Sequence, residues 1–120
     1  MGRNNADFNE GSFTLSYNNE TLFHGTRQKL SVGDAINLQP AERGKGINVP
    51  VSWTTTSPID AAHYGARDEG DGKVNVYTTE PVDRASVRGA YSGILHPGER
   101  KINTHFISKH GFTVTGVHNG

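Results

Sequence analysis

The chain has 120 residues, of which 32% are hydrophobic and 15 are glycine, and its 12 basic and 12 acidic side chains give a formal net charge of zero. This length fits one domain with a modest core. The charge balance argues against a long nucleic-acid groove or a patch for anionic membranes, which normally need a basic excess. The absence of cysteine excludes disulfides, thiol catalysis and cysteine-based zinc sites.

Hydropathy along the chain predicts neither a secretory signal nor a membrane span. Residues 1–10 are polar without an apolar run, and no segment approaches the roughly 20 apolar residues that a membrane helix needs. Residues 1–11 predict a flexible arm, and residues 12–120 a single domain. We expect a soluble monomer without membrane or strong nucleic-acid partners, located in the cytoplasm or delivered into the cytoplasm of a target cell.

Short apolar runs predict strands in the first half of the domain. Two runs flank Asn18 and Asn19, and asparagine tolerates the left-handed conformation of hairpin turns, so a β-hairpin is expected here. Residues 30–40 are expected to form a short element that ends at a proline. Residues 41–48 are expected to form a polar loop. Residues 49–56 are rich in β-branched side chains and predict a strand.

The strongest helix signal covers residues 57–72. Ser57 is expected as the N-cap, and Pro58 fits the first helical position. Asp60 follows three residues after the cap, which makes a near capping box, and glycines mark the other end. The spacing therefore predicts one firm helix.

The faces of this helix carry different residues. Ile59, Ala62 and Ala66 share one side at the helical period and predict a stripe that packs on the core. Tyr64 lies well round the cylinder from Ile59. That position suits the wall of a pocket better than the centre of the core.

Strands dominate the second half of the domain. Residues 73–82 alternate as a half-buried strand does, residues 83–99 predict a loop with one turn, and residues 101–108 and 112–117 predict two more strands. About six strands and one helix, without strand–helix alternation, indicate an α+β fold with a mostly antiparallel sheet or a split β-sandwich.

Three common kinds of catalytic site find little support. Among the six histidines, His105 and His110 lie five residues apart and no pair has the HExxH helical spacing, so no metal site is expected. The serine in AYSGI lacks the glycine spacing of a GxSxG nucleophile motif. ERGKGIN lacks the spacing of a phosphate-binding P-loop.

A spaced set of polar and aromatic residues indicates a different kind of pocket. His24, Gly25 and Thr26 follow two apolar residues at a strand end, Trp53 lies near the end of the next strong strand, and Tyr64 lies on the helix. Two aromatic rings on a strand and an adjacent helix can sandwich a flat ring, and each offset-stacked pair contributes roughly 0.5–1.5 kcal/mol.

The same residues belong to an ordered series, LFHGT, SWTTTSPIDAAHYGA and VNVYTTEP, that resembles the histidine–aromatic–acid branch of the ADP-ribosyltransferase superfamily. HGT, SVGD, DAAHYGA and TTEP follow the order of the rifampin ADP-ribosyltransferases, which we favour, and the series is also similar to the catalytic domain of diphtheria toxin. The resemblance covers roughly residues 20 to 82. It implies a small antiparallel split β-sandwich with one main helix.

The resemblance also implies roles for single residues. His24 would be catalytic and would orient a ribose hydroxyl of NAD, while the backbone of Gly25 would pair with the nicotinamide carboxamide and exclude a side chain there. Thr26 would support the adenine-side ribose or the turn. Trp53 and Tyr64 would stack on nicotinamide, although tryptophan replaces the tyrosine that is usual at the first of these positions.

The catalytic acid is left open by the resemblance. Nicotinamide leaves through an oxocarbenium-like transition state, which a nearby carboxylate stabilises. Glu80 corresponds to a family glutamate of structural type. Glu99 and Asp83 are the two catalytic candidates, and a third possibility is that neither serves. Without a carboxylate at the ribose, the protein would only bind NAD.

Several acceptors are compatible with this expected activity. The resemblance implies an NAD-dependent mono-ADP-ribosyltransferase that modifies a rifamycin-like small molecule, a protein side chain or a nucleic-acid end. Residues 40–50 would contact that acceptor. The alternatives are a phage or secreted effector that modifies a host macromolecule, an NAD hydrolase that uses water, and a non-catalytic binding module.

Overall fold

The computed structural model describes residues 13–39, 49–68, 70–92 and 95–118. The predicted arm and the polar loop at 41–48 lie outside these ranges. The described chain contains seven strands, one α-helix and a 3₁₀ turn. They are β1 (Leu15–Ser16), β2 (Leu22–Thr26), β3 (Ser52–Thr55), α1 (Pro58–Gly65), β4 (Asn75–Pro81), the 3₁₀ turn (Arg84–Ser86), β5 (Arg88–Tyr91), β6 (Thr104–Ser108) and β7 (Phe112–Val117). Within the described ranges, no helix has the length and apolar character to cross a membrane.

All seven strands form one antiparallel sheet in the order β1-β5-β6-β3-β2-β4-β7. The α+β class and the antiparallel sheet are therefore confirmed. Strand β5 was not expected, because its sequence RGAY lacks an apolar alternation. Its glycine, Gly89, is required by packing, since a Cβ there would lie 2.6 Å from the ring of Phe106.

The sheet is almost divided between β2 and β3. These strands share one register pair, Phe23 with Thr55, whereas β2 pairs with β4 along all five of its residues, from Leu22 to Thr26. Strand β3 in turn pairs with β6 along its full length. Beyond Phe23 the two strands part, and this leaves an opening in the middle of the sheet.

The predicted hairpin at Asn18 and Asn19 is wrong. Asn19 does adopt a left-handed turn conformation, with φ of 67°. However, β1 pairs with β5 at one edge of the sheet, while β2 lies between β3 and β4. Both edges of β2 are occupied by other strands. The turn at Asn18 and Asn19 therefore joins two strands that do not pair with each other.

Helix α1 begins as expected and ends early. The Asp60 N–H donates to Ser57 Oγ at 3.1 Å, and Pro58 occupies the first turn. The helix ends at Gly65, before the glycines at 70 and 72. The capping box is not closed, since the Ser57 N–H donates to Thr55 Oγ1 at 3.3 Å, and the Asp60 carboxylate binds elsewhere.

The predicted core stripe of Ile59, Ala62 and Ala66 is wrong at its two ends, and only Ala62 packs against the core. Ile59 is 36% exposed and Ala66 is also exposed, whereas the helix buries Asp60, Ala61 and Gly65. The helix has only eight residues. It therefore docks through its small residues and one carboxylate.

The backbones of β2 and α1 touch at Gly25. A Cβ on Gly25 would lie 1.8 Å from the carbonyl oxygen of Ala61, and a Cβ on Gly65 would lie 2.7 Å from the N atom of Thr26. Phe23, Ala61 and Val76 form a small apolar cluster around this contact. Glycine is thus needed at both positions for the helix to approach the sheet closely.

We expect Gly25→Ala to destabilise the fold by roughly 2–3 kcal/mol, because its methyl group would overlap a backbone carbonyl that cannot rotate away. Gly72→Ala is the matched control, since its Cβ would lie 3.3 Å from the nearest atom, the carbonyl oxygen of Arg27. Urea denaturation of both variants measures the difference. Equal stabilities would contradict the close contact.

Candidate functional site

A cleft of about 290 Å³ opens where β2 and β3 part, with α1 on one side. Its polar and aromatic lining residues include His24, Trp53, Tyr64, Asp68 and His105. A second cavity of about 460 Å³ is lined by Thr26 and its neighbours, and it shares His24 and Asp68 with the cleft. The five residues from 24 to 64 that the sequence selected as an NAD site thus all lie on this pair of adjoining cavities.

The ring of His24 forms a hydrogen bond with the edge of β3. Its Nδ1–H donates to the carbonyl oxygen of Trp53 at 3.1 Å, because a carbonyl can only accept. Burial lowers the pKa of His24, although this hydrogen bond and the charge of Asp68 act in the opposite direction. The imidazole is therefore neutral at pH 7, and its Nε2 is an acceptor.

The backbone N–H and C=O of Gly25 point into the cleft. Gly25 lies opposite Val76 in the β2–β4 ladder, and the carbonyl of Val76 accepts from the His118 N–H at 2.7 Å, on the side of β7. Residues opposite one another in an antiparallel pair either exchange both hydrogen bonds or turn both groups outward. The backbone groups of Val76 point away from β2. The backbone N–H and C=O of Gly25 therefore point away from β4, towards β3.

The ladder between β2 and β3 stops just before it would reach Gly25. Its next pair after Phe23 and Thr55 would join Gly25 to Trp53. The imidazole of His24 instead occupies the carbonyl oxygen of Trp53. This side-chain bond leaves an adjacent donor and acceptor on Gly25 facing the cleft.

Two aromatic walls flank a histidine. The rings of Tyr64 and Trp53 lie 5.2 and 6.4 Å from the ring of His105 and stand nearly perpendicular to it, at 76° and 82°. Phe13 packs edge-on against Trp53, and the guanidinium of Arg67 lies 5.0 Å from the centroid of Tyr64. These contacts hold both walls in place.

A buried carboxylate binds two histidines. Asp60 is 2% exposed, and its oxygens accept from His96 Nε2 at 2.6 Å and from His105 Nε2 at 2.8 Å. Burial acts to raise the pKa of Asp60, but hydrogen bonds from His105, His96 and Thr55 outweigh it and lower the pKa to about 2. The carboxylate is therefore ionised at neutral pH.

Sequence reasoning missed this cluster. Asp60 was explained as a helix-cap residue, and its partners lie 36 and 45 residues further along the chain. No local spacing marks such a set. Across the described ranges, no group of three or more histidine, aspartate or glutamate side chains has an arrangement that could hold a metal ion.

Glu99 lies behind the first turn of α1. Its carboxylate accepts from the Ser57 hydroxyl, from the His96 N–H at 2.8 Å and from Asn103 Nδ2 at 3.1 Å. Burial acts to raise the pKa of Glu99, but these hydrogen bonds, that of Ser57 first, lower it. Glu99 is not among the described residues that line the cleft, and its contacts brace the start of the helix.

Asp83 lies at the far end of β4. It caps the 3₁₀ turn, since its Oδ1 accepts from the Ala85 N–H at 3.1 Å. Tyr77, opposite His24, is separated from the end of β4 at Pro81 by roughly 13 Å of strand. The structure therefore does not bring Asp83 to the described lining of the cleft.

Asp68 is the carboxylate that lines both cavities. Its Oδ2 accepts from Thr26 Oγ1 at 2.6 Å and from the Arg27 N–H at 3.1 Å. The buried Thr26 hydroxyl also accepts from the Gln28 N–H at 3.0 Å, so it supports the turn after β2. Asp68 was not predicted as a site residue, because the residues around it in the sequence indicated only the end of a helix.

No protein-family model matches this sequence, and a search of curated proteins finds no significant match. Evidence for function therefore comes from the residues around the cleft. The arrangement offers a neutral imidazole acceptor, a backbone donor and acceptor on one residue, two aromatic walls and a carboxylate.

We expect His24 to titrate below its ordinary value of 6.5, because burial disfavours the charged ring. It should then contribute stability that is present above about pH 6.5 and is lost as the pH falls through its lowered pKa. A histidine-resolved NMR titration measures the midpoint. A midpoint at or above 6.5 would contradict a neutral acceptor.

We expect Asp60→Asn to destabilise the fold by about 2–3 kcal/mol at pH 7, because an amide nitrogen would face the N–H of one histidine. Since the pKa of Asp60 falls to about 2 in the fold, its contribution is present above about pH 3.8 and is lost towards pH 2. Denaturation of wild type and variant at pH 7 and pH 2.5 tests this. A difference that does not shrink at the lower pH would contradict it.

Proposed function

We propose that the protein is an NAD-dependent mono-ADP-ribosyltransferase with a split sheet of the ADP-ribosyltransferase type. It moves ADP-ribose from NAD to an acceptor and releases nicotinamide. The observation that carries this proposal is the backbone of Gly25. Its N–H and C=O face a cleft with aromatic walls, immediately beside the acceptor nitrogen of His24.

Nicotinamide fits this cleft by its chemistry. A carboxamide is one donor group and one acceptor on a planar frame, and Gly25 offers the complementary pair as a strand edge does. Trp53 and Tyr64 supply faces for the pyridinium ring, each stacked pair contributing roughly 0.5–1.5 kcal/mol. The cleft volume of about 290 Å³ suits one such ring and part of a sugar.

The ribose and the ADP group follow from the neighbouring residues. The neutral His24 accepts a hydrogen bond from a ribose hydroxyl at Nε2 and so orients the sugar. The second cavity, which adjoins at His24 and Asp68, receives the ADP portion, with Thr26 at its edge. A dinucleotide needs such an extended site of two compartments.

Bond cleavage at the ribose needs a negative charge nearby. As nicotinamide leaves, positive charge develops on the sugar, and a fixed carboxylate stabilises it. We assign this role to Asp68, because it lines both cavities, while Glu99 and Asp83 are engaged elsewhere. Asp68 thus replaces the two carboxylates that the sequence resemblance selected.

The acceptor is a small-molecule hydroxyl of the rifamycin kind or a protein side chain, and the reaction takes place in the cytoplasm of the producing or a target cell. Of the predicted acceptor segment, residues 40–50, positions 40–48 lie outside the described residues. Gln39, directly before it, lines both cavities.

We expect the wild-type protein to release nicotinamide from NAD. His24→Ala should lower this rate by about 100-fold, because the ribose loses its orientation. Asp68→Asn keeps the shape of the side chain and should cause a loss of about 100-fold by removing the charge. Chromatography of nicotinamide measures the rate, and mass spectrometry detects ADP-ribose on candidate acceptors.

Two further variants make the assignment specific. Asp83→Asn, at an exposed position far from the cleft, should keep the wild-type rate, and so should Glu99→Gln after correction for its folded fraction. If either shows the loss instead, the catalytic carboxylate moves to that residue. A wild type that neither binds NAD nor releases nicotinamide would overturn the proposed function, and binding without release would indicate a non-catalytic NAD-binding module.

A further inference from the structure

The proposed roles leave unused a histidine among the described residues that line the cleft. His105 projects from β6, lines the cleft between Tyr64 and Trp53, and is 11% exposed. Its Nε2 lies 2.8 Å from Asp60 Oδ2. An imidazole with this access to the cleft and a buried carboxylate behind it is equipped to move a proton.

The hydrogen bonds define which nitrogen of His105 is available. Asp60 is ionised and can only accept, so Nε2 of His105 carries a hydrogen and donates it. The other Asp60 oxygen is held by His96, whose ring stacks on that of His63 at 4.0 Å. In the neutral ring Nδ1 is therefore the acceptor nitrogen, and the carboxylate orients that ring.

The two histidines of the cleft differ in the group behind them. The partner of His24 is a neutral carbonyl, and burial favours the neutral form of that ring. The partner of His105 is a carboxylate, which stabilises an imidazolium as it forms. His24 is suited to accept a hydrogen bond, whereas His105 is suited to take a proton.

We propose that His105 is the general base of the transfer reaction and that Asp60 is the residue that positions it. The inference rests on the proposed function. The bond from ribose C1′ to the nicotinamide nitrogen breaks, and its electron pair neutralises the pyridinium ring. The acceptor oxygen then bonds to C1′ from the space that nicotinamide vacates. The acceptor proton moves to His105 Nδ1 and then to solvent, so no further reactant is needed.

This role limits the class of acceptor. A base assists only a nucleophile that carries a proton at neutral pH and must lose it, such as an alcohol hydroxyl or water. A carboxylate acceptor would gain nothing from His105. The proposed role therefore favours an acceptor that must lose a proton, such as a hydroxyl group, with hydrolysis as the reaction in its absence.

The test measures nicotinamide release by wild type, His105→Gln and Asp60→Asn over a range of NAD concentrations. General-base catalysis is worth about 100-fold or more, so kcat of His105→Gln should fall by that factor while KM for NAD stays unchanged. His105→Ala should regain activity when imidazole is added. His110→Gln, which removes a half-exposed histidine beside Asp83, is the matched control and should keep the wild-type rate.

A second measurement uses the intact protein and does not depend on the folding of a variant. The nitrogen NMR spectrum of the neutral histidines should show His105 with hydrogen on Nε2 and none on Nδ1. A neutral His105 with hydrogen on Nδ1 in place of Nε2 would overturn the base role, and so would a His105→Gln protein with wild-type kcat. If wild-type protein releases no nicotinamide, the proposed function and this inference fail together; if only the variant result fails, the proposed function stands.

Discussion

The site depends on the backbone contact between α1 and β2. Because Gly25 and Gly65 carry no side chains, the helix approaches until its Ala61 carbonyl occupies the space of a Cβ on the strand. This approach brings Tyr64 to the cleft and lowers Asp60 into the protein, where two histidines reach it. The backbone groups of the same Gly25 face the cleft, because the pairing of β2 with β3 has ended. One glycine thus serves both the packing of the fold and the proposed recognition of an amide.

The opening in the sheet has an equally local cause. Strands β2 and β3 pair once and then part, at the point where His24 takes the carbonyl oxygen of Trp53. A side chain has replaced a backbone partner, so a polar group of β3 is satisfied although the ladder has ended. The cleft can therefore exist in the middle of a sheet without leaving that carbonyl unpaired, and the bond that permits it also fixes the tautomer of His24.

Local signals in the sequence identified those parts of the site that are local in the chain. The strand that ends in HGT, the strand of Trp53, the Ser57 cap and the flank position of Tyr64 could all be predicted from neighbouring residues, as could the α+β class. The pairing of β1 with β5 and the meeting of Asp60 with His105 join residues far apart in sequence, so no short pattern contains them. The predicted apolar face of α1 failed for another reason: an eight-residue helix that docks by backbone contact does not need an apolar stripe.

Because the sheet is almost divided between β2 and β3, its two halves are joined mainly by α1. A single register pair, Phe23 with Thr55, connects β2 to β3, so the sheet itself gives little resistance to bending at that line. Helix α1 contacts β2 and β4 on one side and β3 on the other. The first turn of the helix is held by Ser57 and Glu99. The helix therefore joins the two halves of the sheet, and its position determines the width of the cleft.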